Sequence, residues 1–278
     1  MSGDIFASQP SDEDRLAELY DLEHDGQVAD LPFYRELTRR AGGPVLDLGC
    51  GTGRLFGTLM DGGAARIVGL DGSAALLRRA EARIASDARL SEAAQDQRLG
   101  LVRGDVRALA TLNIRDRFSL AVAVGVLAHL DGPEDALRLL GGVRSLLARG
   151  GRLVIDDLGP GAMPERDLPL SVDWRRQMNG REVVRRSELI RRESPEGLRV
   201  AFSTMTDAVQ TDGTIARLPA SHRLWYPSPE ALGTLVSQAG MVVEMSYGSH
   251  DLEPLDRESA RRIFIVVYVP GAAPSRER

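Results

Sequence analysis

Short apolar runs alternate with segments of helical periodicity between residues 44 and 158, and this alternation constrains the fold more than any other feature of the chain. Five runs have the composition of buried strands: residues 44–49, 66–71, 98–105, 118–125 and 151–157. Helical spacing of apolar residues occurs in the intervening segments 54–60, 73–86 and 134–147. Apolar strands separated by helices are typical of a parallel sheet that is covered on both faces. The pattern therefore predicts a doubly wound α/β fold.

The pattern changes after residue 158, where turn signals and alternating residues replace the helical spacing. This segment predicts about three antiparallel strands, near 182–191, 198–210 and 214–226. A helix over 229–239 and strands over 241–247 and 261–269 then resume the first pattern. We therefore predict a mostly parallel main sheet of seven strands, with a small antiparallel sheet inserted as a lid between the fifth and the sixth.

The same segments predict how the chain is divided. Residues 11–42 suggest two helices that pack ahead of the first strand. The predicted units are an N-terminal helical cap (1–43), a main domain (44–158 and 227–270), the inserted lid (159–226) and a tail (271–278).

Composition excludes several classes of protein. All 35 basic residues among the 278 are arginines, so the chain lacks the lysine that Schiff-base enzymes, pyridoxal-phosphate enzymes and the Walker A loop require. A single cysteine, Cys50, excludes a disulfide framework and a zinc site with several thiolates, and we expect no metal site. The net charge of −5 argues against a protein that binds nucleic acid through a broad basic face.

Location and assembly are predicted less directly. The acidic N-terminus has neither a basic nor an apolar export region, and no run approaches the roughly 18 apolar residues of a membrane span. Together with the lone cysteine, this favours a cytoplasmic protein that does not contact membranes. We expect a monomer or a homodimer.

A glycine-rich turn follows the first predicted strand. The run VLDLGCGTGR places Asp47, Gly49, Gly51 and Gly53 where a strand passes into a helix, and glycines there let a ligand approach the backbone closely. Such a turn could serve NAD, FAD or S-adenosylmethionine, or it could simply be a tight connection. In the dinucleotide pattern the third glycine comes five residues after the first, but here Arg54 stands at that place.

With two further acids, this motif resembles the class I S-adenosylmethionine-dependent methyltransferases, which have a Rossmann-like fold. Asp71 closes the second predicted strand and Asp105 follows the third, so each acid lies at the carboxyl end of its strand. The resemblance implies that Asp71 binds both ribose hydroxyls and that Asp105, with the Val106 N–H, binds the adenine. It implies a cofactor site formed by Asp47, Gly49, Gly51, Gly53, Asp71, Gly72, Asp105, Val106 and Val124. Alone, Asp71 could be a helix-start residue and Asp105 a turn former.

A second, looser resemblance concerns the inserted lid. Sugar N,N-dimethyltransferases and glycine N-methyltransferases have such an insertion over the acceptor, and they tend to have a Tyr-Asp pair in an N-terminal helix. Here Tyr20-Asp21 fills that place, and residues 218–240 resemble the last lid strand and the helix after it. The resemblance implies a small-molecule acceptor and places Tyr20 at the cofactor.

Histidines and acids near the strand ends are candidates for the chemistry. The resemblance places His129, just past the fourth strand, near the acceptor, where it would act as a general base or only as a structural residue. His24 lies in the cap, whereas His222 and His250 are expected to be solvated polar residues. The pair Asp156-Asp157 could touch the acceptor or a magnesium ion, but a matching set of metal ligands is not visible.

Aromatic residues are concentrated in the cap and the lid. We predict that four of them contact the acceptor, although large side chains in small covering segments also serve packing: Tyr34, Trp174, Trp225 and Tyr226. Charge is uneven as well, with nine acids and one arginine in residues 1–30 and eight arginines and four glutamates in 175–199. The basic lid either faces an anionic acceptor or pairs with the acidic cap.

The function that fits these features best is methyl transfer from S-adenosylmethionine to oxygen, nitrogen or carbon of a small molecule. Two alternatives remain at this stage: an RNA methyltransferase and a non-catalytic S-adenosylmethionine-binding regulator. Because a lid must open for product release, we also expect the lid or the cap to move.

Overall fold

The computed structural model describes residues 12–24, 26–178, 180–210 and 212–268. Predictions on residues 1–11 of the cap and on the tail from 271 therefore lie outside the described residues. The chain has seven α-helices in these ranges: α1 (Asp12–His24), α2 (Leu31–Ala41), α3 (Phe56–Asp61), α4 (Ala74–Ser86), α5 (Ala88–Gln95), α6 (Pro133–Leu146) and α7 (Pro229–Gln238). None of the helices in the described ranges is long and apolar enough to span a membrane.

The main sheet has seven strands. Their bounds are β1 (Val45–Leu48), β2 (Ile67–Asp71), β3 (Leu99–Arg103), β4 (Phe118–Val124), β5 (Leu147–Leu158), β10 (Val242–Tyr247) and β11 (Arg261–Val267). They follow the order β10-β11-β5-β4-β1-β2-β3. The pairs among β1 to β5 are parallel, whereas β11 runs antiparallel to both of its neighbours. The predicted fold class is confirmed, and the strand order reverses between β1 and β4.

Local sequence signals set the helix starts. The Ser73 hydroxyl accepts the Leu76 N–H at the start of α4, and Ser228 does the same for Ala231 at the start of α7. Asp87 ends α4 and begins α5, where its carboxylate accepts the N–H groups of the next turn. This cap explains why the helix predicted over 73–86 stops there and a second helix follows.

The inserted sheet has four strands, one more than predicted. Their bounds are β6 (Leu168–Met178), β7 (Arg181–Ser194), β8 (Gly197–Val209) and β9 (Ile215–Pro227), in antiparallel order. The missed strand β6 lies at the edge of this sheet and leaves Leu168, Leu170 and Val172 more than two-fifths exposed. Their alternation is a strand signal, but Pro169 interrupts it, and proline is tolerated because the strand is an edge.

Helix α1 connects the lid to the main domain. Leu19 packs with Val183, Ala208 and Leu218 of the lid sheet in a small apolar cluster. On its other side Asp21 pairs with Arg79 and Arg83 of α4. The lid therefore rests on the cap, and the cap rests on the main domain.

The basic segment of the lid pairs mostly with acids of the lid itself. Within the sheet, ion pairs join Arg175 to Glu182, Arg185 to Asp173, Arg186 to Asp207, Arg191 to Glu193 and Arg192 to Asp167. One ion pair to the cap joins Arg185 to Glu23, with 3.0 Å between Nε and Oε1. Pairing within the lid matches neither of the two expected arrangements, an anionic acceptor or the acidic cap, although Arg185 also contacts the cap.

Trp225 lies in the hydrophobic core, so its predicted contact with the acceptor needs correction. It is 1% exposed and belongs to the core cluster that also contains Leu232, Leu235 and Phe264. The residue is buried because β9 leaves the lid here and returns the chain to α7. The indole anchors the lid to the core instead of lining an acceptor site.

We expect Trp225→Ala to lower the free energy of unfolding by about 3–5 kcal/mol, the usual cost of truncating a fully buried tryptophan. Urea denaturation measures this, with Ile215→Ala as the control because Ile215 is a lid residue that is 62% exposed. The control should change stability by no more than about 0.5 kcal/mol. A stable Trp225→Ala protein with weakened acceptor binding would instead support a contact between Trp225 and the acceptor.

Candidate functional site

A cavity of about 930 Å³ opens at the carboxyl ends of the parallel strands, where the strand order reverses. Open α/β sheets bind ligands at this place because the loops on either side of the reversal diverge. Eight of the ten predicted cofactor residues line the cavity: Tyr20, Gly49, Gly51, Asp71, Gly72, Asp105, Val106 and Val124. The structure thus brings together residues from the cap and from four strand ends.

Two glycines of the turn allow a ligand to approach the backbone closely. Gly49 and Gly51 have φ values of +62° and +56°, which side chains rarely adopt. A Cβ on Gly49 would lie 2.6 Å from Val126 Cγ2, and one on Gly51 would lie 3.3 Å from the Tyr20 hydroxyl. The turn therefore places glycine backbone in the cavity wall between Tyr20 and Val126.

Gly53 and Asp47 were predicted to bind the cofactor but lie behind the cavity wall. A Cβ on Gly53 would lie 2.4 Å from the Phe56 ring, so this glycine allows the turn to pack on α3. Asp47 is buried, which raises the pKa of its carboxyl to about 7, and its Oδ2 has no hydrogen-bond partner in the described ranges. Gly53 therefore serves the packing of the turn, and Asp47 is buried in β1 beneath it.

Asp71 holds the turn in place and still faces the cavity. Its Oδ2 accepts the Gly51 N–H at 2.9 Å, and its Oδ1 accepts the Ser73 N–H at 2.8 Å. Each carboxylate oxygen can accept a second hydrogen bond, so two donors of a ligand can still bind.

Asp105 is half-exposed on the far side of the same cavity. Its carboxylate pairs with Arg107, whose Nη2 lies 2.7 Å from Oδ2, and this hydrogen bond holds the pKa of Asp105 below its usual value. Arg107 also contacts Asp135 at 3.2 Å. The guanidinium therefore fixes the carboxylate as an anion at the cavity rim.

Two further cavities adjoin the first at Tyr20 and His129, which line all three. One, of about 680 Å³, lies between the cap and the ends of β4 and β5, and we name it the acceptor chamber. The other, of about 520 Å³, lies between α1 and the inner face of the lid sheet. A ligand in the first cavity and a second ligand in either of the other two would therefore come together beside Tyr20 and His129.

His129 faces the imidazole of His222, a pairing that the sequence did not predict. The rings of His129 and His222 lie 5.8 Å apart in a T-shaped arrangement. Burial, and then the neighbouring His222, lower the pKa of His129 below its usual 6.5. His222 is accessible, as expected, but it opens onto the cavity under the lid. The alternation of β9 places it on the inner face, and that face could not be known without the register.

A buried carboxylate, Asp156, binds three donors from different segments. It accepts hydrogen bonds from the Tyr34 hydroxyl, from His250 Nε2 at 2.7 Å, and from Arg261 Nε at 2.8 Å. Burial acts to raise the pKa of Asp156, but the hydrogen bonds from His250, Arg261 and Tyr34 outweigh it and hold this pKa below its usual value. Asp156 is therefore an anion whose lone pairs are used by the protein.

This arrangement corrects two expectations. Tyr34 is completely buried and binds Asp156, which leaves no surface for an acceptor. His250 is half-buried between Asp156 and Phe33, not a solvated loop residue. Within the described ranges, no group of three or more histidine, cysteine, aspartate or glutamate side chains could hold a metal ion.

The remaining predicted acceptor residues take different positions. Tyr226 lines the acceptor chamber, and burial raises its pKa to about 12. Trp174 packs against the cluster between α1 and the lid, with the Arg176 guanidinium 4.8 Å from its ring centroid. Among the four predicted residues, Tyr226 is thus the one that the structure places at the chamber.

The chamber is closed on one side by a pair that the sequence did not predict. Arg54 binds Asp30 through two hydrogen bonds of 2.8 and 2.6 Å and also donates to the Gln27 carbonyl at 2.8 Å. This pair fastens the segment between α1 and α2 to the glycine-rich turn. It also explains why arginine stands where a dinucleotide-binding turn has its third glycine.

Comparison with known proteins identifies the core of the chain. Residues 45–151 match a family model described as a methyltransferase domain. The chain carries a methyltransferase domain. The predicted resemblance to class I methyltransferases is confirmed for this domain and its fold.

One curated relative is the mitochondrial ubiquinone biosynthesis O-methyltransferase of Dictyostelium discoideum, which is 25% identical over 114 residues. The match covers 41% of this chain and 35% of the relative, so the chain spans about a third of that protein's length. The match therefore describes the domain that the two proteins share and not the whole of either protein.

Solved structures match over nearly the whole chain. The CcbJ methyltransferase of Streptomyces caelestis has a TM-score of 0.70 and 21% identity, and the match covers 94% of this chain and 99% of that one. The sugar N-methyltransferase KedS8 of Streptoalloteichus has a TM-score of 0.67 and 20% identity, with 90% and 92% covered. These likenesses establish that the fold, including the insertion, is shared.

We expect Tyr34→Phe to lower the free energy of unfolding by about 1.5–3 kcal/mol, because it removes a hydrogen bond to a buried anion. Denaturant unfolding at pH 7 measures the loss. Tyr247→Phe is the control, since the Tyr247 hydroxyl contacts the weakly accepting Met245 sulfur near the surface. Equal effects of the two variants would contradict the supporting role of Tyr34.

Proposed function

We propose that the protein transfers the methyl group of S-adenosylmethionine to a small molecule held between the cap, the lid and the ends of the parallel strands. One observation carries the proposal: a cavity at the reversal of strand order, with Asp71 and Asp105 in its wall, opens at His129 into a chamber covered by the cap. The family match of residues 45–151 supports it.

The residues at the first cavity fit this cofactor. Asp71 would accept the two ribose hydroxyls, and Asp105 with the Val106 N–H would receive the adenine. The backbone at Gly49 and Gly51, which lines the cavity, would take the methionine portion, beside Val124 and under Tyr20. S-adenosylmethionine supplies a methyl group made electrophilic by a positively charged sulfur, so the protein mainly has to align the acceptor and exclude water.

We propose an amine nitrogen as the methyl acceptor. An amine must be neutral to attack, and His129 is suited to take its proton because burial keeps the imidazole neutral. The structurally similar KedS8 is named a sugar N-methyltransferase, which is consistent with an amine acceptor. The name of the curated relative, an O-methyltransferase, keeps oxygen as the second candidate.

The enclosed chamber favours a small molecule over RNA. Asp30 of the cap, paired with Arg54 of the glycine-rich turn, covers it on one side, and Tyr226 of the lid covers it on another. A polynucleotide would need an open, cationic surface, whereas the lid arginines pair mostly with lid acids. A cytoplasmic location, a monomeric or homodimeric state and movement of the lid remain part of the proposal.

We expect Asp71→Ala to weaken S-adenosylhomocysteine binding by about 1–3 kcal/mol, because it removes the acceptor of the ribose hydroxyls and of the Gly51 N–H. Titration calorimetry measures the affinity. Asp61→Ala is the control, since Asp61 is an exposed partner of Arg89 away from the cavity. Binding of NAD by the wild-type protein, or unchanged affinity in a folded Asp71→Ala variant, would refute the cofactor assignment.

We expect His129→Ala to reduce kcat by about 10²–10⁴-fold while the affinity for S-adenosylhomocysteine stays unchanged. The base acts when neutral, so wild-type kcat should rise with pH through a pKa below 6.5, and the variant should lose this step. The loss of kcat and the pH profile are both measured as rates of S-adenosylhomocysteine release at saturating S-adenosylmethionine. A fully active His129→Ala variant would show that His129 has a structural role only.

A further inference from the structure

The imidazole of His24, the last residue of α1, is held in one orientation by Tyr20. The two rings are stacked, with 4.0 Å between their centroids and 15° between their planes. Nδ1 of His24 also lies 2.8 Å from the Tyr20 carbonyl oxygen. Because a carbonyl oxygen can only accept a hydrogen bond, Nδ1 is the donor and carries the proton of the neutral ring. Nε2 of the neutral ring therefore carries the lone pair.

Nε2 of His24 is available to a ligand. It is solvent-accessible and has no hydrogen-bond partner in the parts of the chain that the structure describes. His24 forms part of the wall of the acceptor chamber and of the cavity under the lid, and His129 lines the same two cavities. Two imidazoles from different elements, the end of α1 and the segment after β4, therefore border one space.

The position of His24 relative to the cofactor cavity assigns it to the acceptor side. His129 and Tyr20 line the cofactor cavity as well, whereas His24 does not. The hydrogen bond from Nδ1 joins two residues of one helix and so serves the structure of α1. Nε2 contributes nothing to that structure, so its lone pair is left for a ligand.

We propose that Nε2 of His24 accepts a hydrogen bond from the acceptor nitrogen and that the acceptor is a primary amine. This inference rests on the proposed function. The nitrogen of a primary amine has two N–H groups and one lone pair. With one N–H directed to His24 and the other to His129, the lone pair is left to face the methyl carbon. A secondary amine has one N–H, so one of the two imidazoles would lose its partner.

The two histidines take different parts in the transfer. The nitrogen lone pair forms the N–CH₃ bond as the S–CH₃ bond breaks, and S-adenosylhomocysteine leaves. The positive charge passes from sulfur to nitrogen, and His129 then takes the proton of the N–H that faces it. His24 takes no proton but holds the nitrogen in line with the methyl group, and the product is a secondary amine.

The first test separates the two ring nitrogens of His24 with two variants. Asparagine places an amide N–H near the position of Nδ1, whereas glutamine is long enough to place an accepting oxygen near that of Nε2. Calorimetry at pH 8, with the protein saturated with S-adenosylhomocysteine, measures the affinity for benzylamine. His24→Asn should weaken it about three- to tenfold, the usual effect of one lost hydrogen bond, and His24→Gln should weaken it less. Equal weakening in both variants would show that His24 only supports α1 and would overturn the proposal.

The second test compares two probes that differ by one N–H. N-methylbenzylamine has one N–H fewer than benzylamine in both protonation states of the amines. Wild-type protein should bind benzylamine about three- to tenfold more tightly, and His24→Asn should lose this preference. Because the preference is a ratio within one protein, a general loss of stability in the variant does not change it.

Thr204→Val is the control for the second test and should keep the preference. Thr204 lines the cavity under the lid on β8 but does not border the acceptor chamber. The proposal is overturned by an unchanged preference in His24→Asn, by its loss in Thr204→Val as well, or by its absence in the wild-type protein. It is also overturned if protein that binds S-adenosylhomocysteine does not bind benzylamine. Failure to bind S-adenosylhomocysteine at all would instead refute the proposed function.

Discussion

The carboxylate of Asp156 determines how the covering segments meet the sheet. Its three donors come from α2, from the loop after β10 and from β11, so one anion joins α2 of the cap to the β10–β11 end of the main sheet. Removing any donor would leave a buried charge partly unsatisfied, so the three are held together. The floor of the acceptor chamber, at the end of β5, depends on this bonding.

The parts of the fold predicted from sequence are those that local patterns determine. Apolar runs and helical spacing predicted the seven main strands, because a parallel sheet buried on both faces requires continuous apolar strands. Asp71 and Asp105 could be placed together without a structure, since the carboxyl ends of parallel strands share one edge. Gly49 and Gly51 were identifiable because a tight turn with positive φ requires glycine.

The predictions that needed correction depend on partners distant in sequence. Tyr34 binds a residue 122 positions away, and Trp225 is buried by the return of β9 to the core. An aromatic side chain in a covering segment has the same local sequence whether it faces a ligand or a core. His250 belongs to the same class, because its partner Asp156 lies 94 positions away. Strand β6 was missed for another reason: an edge strand exposes its apolar residues and so lacks the signature of burial.

The lid is held by the Trp225 indole in the core, by the apolar cluster around Leu19 and by an ion pair to the cap. Glu23 and Arg185 join the cap to the lid through an ion pair whose side chains are 24% and 17% exposed, so water screens it only in part. The turn at Gly51 is instead fixed by a buried carboxylate, Asp71. Tyr20 of α1 forms part of the wall of the cofactor cavity, so the shape of that cavity also depends on where the cap lies. Since Tyr20 lines all three cavities, a shift of α1 would change the cofactor cavity and the acceptor chamber together.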